Sequence, residues 1–79
     1  MSQTVTAAYD SIHKANNAFD ELVAEGFPRE TLFLDREARQ VKVIVPDPVQ
    51  REVESILQRH EPDELWARDF PPQPPEPGA

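Results

Sequence analysis

The sequence contains no cysteine, which excludes disulfides and thiolate-bound metals as a means of holding it together. Glycine is almost as scarce. Gly26 and Gly78 are the only two, too far apart to form a phosphate-cradling loop. Long apolar stretches are missing as well, since runs such as Val43-Ile44-Val45 fall far short of the ~20 residues that span a membrane. The N-terminal residues show no basic region leading into a hydrophobic segment, so no signal peptide is expected and a cytoplasmic location is. Positive charge is thin: 8 Lys and Arg stand against 15 Asp and Glu, a formal net charge of -7. The basic residues are dispersed singly along the chain, whereas nucleic-acid binding relies on clustered cations. Neither nucleic acid nor an anionic membrane is therefore an expected partner.

Proline is abundant, with 9 in 79 residues. The stretch from Pro71 to Ala79 is dominated by it and offers no large apolar side chain to bury. That segment is expected to be disordered or polyproline II-like, and dispensable for folding. Its PxxP spacings (Pro71 to Pro74 and Pro74 to Pro77) lack flanking Arg or Lys, so a solvated tail is the expected reading rather than a ligand for an aromatic groove. Residues 1–70 then make one domain. A unit of that size buries only about 60% of its unfolded surface, and with no cross-link available self-association is the expected supplement.

Periodicity marks the elements. Val5, Ala7 and Tyr9 alternate with Thr4, Thr6 and Ala8, as in a strand. Asp10 and Ser11 suit the N-cap of a helix whose Ile12, Ala15, Phe19, Leu22 and Val23 form an apolar stripe. Gly26 and Pro28 end it. Thr31 to Leu34 and Gln40 to Val45 read as two strands joined by a polar hairpin, with Val41, Val43 and Val45 on one side. Asp47, Pro48 and Gln50 predict a capped start to a second helix, with Val49, Val53, Ile56 and Leu57 as its buried stripe. Glu61-Pro62 stops that helix near His60, and Leu65 to Phe70 is a fourth strand. The order strand, helix, strand, strand, helix, strand predicts an α+β, ferredoxin-like βαββαβ sandwich. Its four-stranded antiparallel sheet would carry both helices on one face, with the first and third strands central.

The segments Val5 to Ser11 and Ala18 to Pro28, together with Ile56 to His60 before an acidic strand, resemble the bacterial general stress protein 17M-like (YflT-type) domains. The likeness spans most of residues 5–69 and rests on apolar and turn positions. Unlike longer members, the chain passes from Leu34 to Val41 without a Gly-rich hydrophobic insert. The resemblance implies a ferredoxin-like fold and a stress association, and brings no catalytic residues with it.

No residue pattern assigns catalysis, a metal or a cofactor. His13 and His60 fall on different helices without ligand spacing. Asp20, Glu21, Glu25, Glu52 and Glu54 read as solvated helix faces, and Ser2, Ser11 and Ser55 lie in no nucleophile motif. The informative feature is the side of the sheet away from the helices. With Val41, Val43 and Val45 inward, Gln40, Lys42 and Ile44 point outward, and Leu32 and Leu34 inward leave Phe33 outward. One of Leu65 or Trp66 must also face out. Phe33, Ile44 and Trp66 are the candidate interface residues, too apolar a set for a lone small domain to leave open. The expected function is that of a non-enzymatic interaction or regulatory module, a homodimer or the binder of another protein. The alternative is a small-molecule sensor or enzyme whose pocket forms between protomers.

Overall fold

A computed structural model of the chain describes residues 2–71. The expected disorder and PxxP readings of the tail lie, from Pro72 onward, outside the described residues.

The chain forms β1 (Ser2–Ala8), α1 (Ile12–Ala24), a 3₁₀ turn (Arg29–Thr31), β2 (Leu32–Asp35), β3 (Gln40–Pro46), a second 3₁₀ turn (Asp47–Val49), α2 (Gln50–Gln58) and β4 (Glu64–Phe70). The strands make one antiparallel sheet in the order β2-β3-β1-β4, the ferredoxin-like α+β arrangement. The first and third strands are central because each βαβ half must cross over its neighbour in the right-handed sense. α1 packs over β2 and β3, and α2 over β1 and β3. Between sheet and helices lies a core built from Val5, Ala7 and Tyr9 of the first strand and its exit, Val41, Val43 and Val45 of β3, and Ala15, Ala18, Leu22, Val53, Ile56 and Leu57 of the helices. Small residues on α1, Ala15 and Ala18, let that helix approach the sheet closely.

The helix ends follow different rules. At α1, Ser11 is the cap: its Oγ accepts from the Lys14 backbone N–H at 3.2 Å. Gly26 leaves the helix at φ +96°, a left-handed conformation that a Cβ would strain. At α2 the expected capping box does not form. Asp47 opens a 3₁₀ turn with no capping bond from its side chain, and its Oδ1 instead accepts from Gln3 Nε2 at 3.2 Å. Gln50 does not reach back to a cap either, and its Nε2 donates to Glu54 Oε2 at 3.0 Å. The 3₁₀ turn tightens the entry into α2, so Pro48 keeps its first-turn role while the cap geometry is lost. Thr31, expected at the head of β2, closes the preceding 3₁₀ turn by donating from Oγ1 to the Pro28 carbonyl at 2.7 Å.

Candidate functional site: the open face of the sheet

Alternation and register together settle which side chains face away from the helices. Phe33 lies opposite Lys42, Lys42 opposite Thr6, and Thr6 opposite Trp66. These residues form one row across all strands on the outer side. The next row carries Ile44, Thr4 and Arg68, and the one beyond it Pro46, Ser2 and Phe70. In the other direction lie Asp35, Gln40, Ala8 and Glu64. Leu65 and Ala67 are opposite Ala7 and Val5 and pack against the core. Trp66 is therefore the outward residue of the Leu65–Trp66 pair.

All three expected interface residues thus share the face that the helices leave uncovered. Phe33 is 48% exposed, and Ile44 and Trp66 are half-buried by their neighbours. Sequence reasoning missed Phe70, which is 41% exposed on the same face. Once Trp66 is placed outward, two steps along the strand reach Arg68 and then Phe70, so the missing signal was the phase of β4. Among the described residues, Phe33 and Phe70 are the exposed large hydrophobics, and both belong to this face. The aromatic rings sit on the edge strands, while the central strands present Thr4, Thr6, Lys42 and Ile44.

Between these edges runs a groove of about 510 Å³ lined by Thr4, Thr6, Lys42, Trp66 and Arg68, with Gln40 and Asp69 at its ends. Thr6 on its floor is only 3% exposed, walled by Lys42 and Trp66, its cross-strand neighbours. On this face Lys42 and Arg68 are balanced by Asp35 and Glu64, so it is less acidic than a chain of net charge -7 is on average.

A second polar cluster lies on the helix side. Glu21 of α1 meets the end of α2: its Oε2 accepts from Arg59 Nη1 at 2.5 Å, and its Oε1 lies 2.6 Å from His60 Nε2. The hydrogen bond with His60, aided by the Arg59 charge, holds the Glu21 carboxyl below its ordinary value against the opposing effect of burial. Beneath it, the Tyr9 hydroxyl donates to the Leu57 carbonyl at 2.9 Å. Burial, reinforced by the Glu21 charge, pushes the Tyr9 phenol up to about 12. This arrangement ties the two helices to the exit of β1. His13, by contrast, is exposed on α1, so the two histidines are not brought together. Among the described residues, no group of three or more His, Cys, Asp or Glu side chains could hold a metal ion. No helix among them is long and apolar enough to cross a membrane.

Comparison with known proteins finds no matching family model, no matching curated protein and no matching solved structure.

Proposed function

We propose that this chain is a non-enzymatic interaction or regulatory module that engages a protein partner through the open face of its sheet. The observation that carries the reading is the placement of Phe33 and Phe70, the exposed large hydrophobics among the described residues, on that one uncovered face. Ile44 and Trp66 lie between them and extend the apolar surface across the strands. Aromatic side chains that are rigid and already positioned on a sheet lose little entropy on binding and serve as anchors. A cytoplasmic setting, expected from the lack of a signal-peptide pattern, and a role in stress, which the sequence resemblance implies, belong to this proposal.

The test is photo-crosslinking in cells from a benzoylphenylalanine placed at position 33, with the same probe at the exposed helix position Asp20 as control. A discrete crosslinked species from position 33, absent from position 20 and lost when Ile44→Asp is added, is the expected result. Equal or absent crosslinking from both positions refutes the reading.

The groove supports a second reading, a small-molecule sensor or an enzyme completed between protomers, because Lys42, Arg68, Thr4 and Thr6 line it together with Trp66. A metabolite that raises the melting temperature saturably, and loses that effect on Lys42→Ala, would favour it.

A further inference from the structure

We infer that β4 is a self-complementary edge, and that two copies of this chain join antiparallel along it to make one continuous sheet. β4 stands at the end of the sheet, hydrogen-bonded on one side to β1. With α1 over β2 and β3 and α2 over β1 and β3, β4 lies outboard of both helices. A cleft between α2 and β4, lined by Arg51, Ser55, Arg59 and Leu65 among others, keeps the helix back from the edge. The opposite edge, β2, has only 4 residues against the 7 of β4.

The backbone parity of that edge follows from the ladder. The Tyr9 N–H donates to the Arg39 carbonyl at 2.9 Å, and the Ala8 carbonyl accepts from the Asp63 N–H at 2.8 Å. Odd residues of β1 therefore turn their N–H and C=O groups to β3 and even residues to β4. Through the Thr6–Trp66 register, Glu64, Trp66 and Arg68 are bonded to β1. The N–H and C=O groups of Leu65 and Ala67 then point off the edge, open to another strand.

In an antiparallel self-pairing about a two-fold axis at Trp66, those groups bond Leu65 to Ala67 of the second copy and Ala67 to its Leu65. The same register sets Glu64 opposite Arg68 of the second copy, Trp66 opposite Trp66, and Arg68 opposite Glu64. All of these are outer-face, non-hydrogen-bonded pairs, the kind whose side chains approach most closely. Every pair from 64 to 68 is thus complementary: opposite charges, matched aromatics, matched apolar residues. Glu64 and Arg68 are exposed, and among the described residues neither forms an ion pair. In this register Asp69 falls opposite Asp63 of the second copy, outside the paired span, whereas moving the axis to Ala67 would set Leu65 against Asp69 within it. The joined sheet keeps both pairs of helices on one side. Phe33 and Ile44 stay open on the other, so this contact is separate from the one proposed for the face.

An edge this short buries less than the ~1,200 Å² of a standard interface, so the dimer is a weak one, read by sedimentation equilibrium up to about 1 mM protein. Glu64→Arg and Arg68→Glu, each placing like charges opposite in two pairs, should weaken it on the order of tenfold. The double variant Glu64→Arg/Arg68→Glu should restore it, and Phe33→Asp should leave it unchanged. Far-UV circular dichroism verifies that each variant is folded. A wild type monomeric at about 1 mM overturns the inference, as does a double variant no tighter than the singles. Loss of self-association in Phe33→Asp, with none in the charge reversals, would mean that the copies meet through the face instead.

Discussion

Tyr9 is the single tyrosine of the chain, which makes its buried hydroxyl separately measurable. Its ring is 2% exposed within the core, and its OH donates to the Leu57 carbonyl at 2.9 Å. Tyr9→Phe keeps the ring and deletes the bond. The Leu57 carbonyl also accepts from the His60 N–H at 3.2 Å, so it is weakened rather than orphaned. The expected cost is about 1 kcal/mol, or about 4–8 °C in melting temperature for a domain of this size. The same hydroxyl predicts an alkaline effect. Below its ordinary value of 10.0 the phenol is protonated in both the folded and unfolded chains. Above it the unfolded chain ionises while the folded one holds its proton up to about 12, so stability falls as pH rises through that interval. The loss is about 3 kcal/mol when complete. Urea melts at neutral pH and at pH values across that interval, on wild type and Tyr9→Phe, measure both effects. Absorbance titration at the phenolate band follows the tyrosine directly. A native-state phenol that titrates at its ordinary value, or a Tyr9→Phe variant as stable as wild type with the same alkaline slope, would refute the reasoning.

The two helix starts should respond differently to the same change. Ser11→Ala removes a formed capping bond and should cost about 1 kcal/mol, whereas Asp47→Ala, which caps nothing, should shift the denaturant midpoint by less than half as much. At the helix junction, Glu21→Gln should lower stability at neutral pH by on the order of 1 kcal/mol, moderated by the exposure of Arg59. The Glu21 carboxyl is held below its ordinary value of 4.5, so its contribution is present above that value and is lost as pH falls through the lowered one. Melts of wild type and variant should therefore converge in acid, and a constant difference down to low pH would rule out the ion pair as its source.

The elements themselves were legible because their signals are local. Alternation in Gln40 to Val45 and the stripe from Ile12 to Val23 each declare a period and a buried side within one segment. That sufficed to place Phe33 and Ile44 outward and to order the strands. The side chain of Asp47 was misread because a capping box and a 3₁₀ entry share the same residue types, and the choice depended on Gln3, 44 positions away in the chain. The phase of β4 was not legible either, because Leu65 and Trp66 are both apolar and alternation alone fits either facing.

What the sequence determined by itself is the order of elements and the sidedness of α1, α2, β2 and β3, since backbone periodicity converts residue spacing directly into sidedness where one side is clearly apolar. What only the tertiary structure decided is everything set by cross-strand register and by the meeting of distant segments. The opposition of Trp66 to Thr6 brings Phe70 and Arg68 onto the open face. The approach of α1 to the end of α2 joins Glu21 to His60 across 39 positions and seats the Tyr9 hydroxyl on the Leu57 carbonyl across 48. Such contacts carry no local period. They form only when the core closes and the strands fix their register, because a shift of one residue in β4 would exchange the side chains of its two faces.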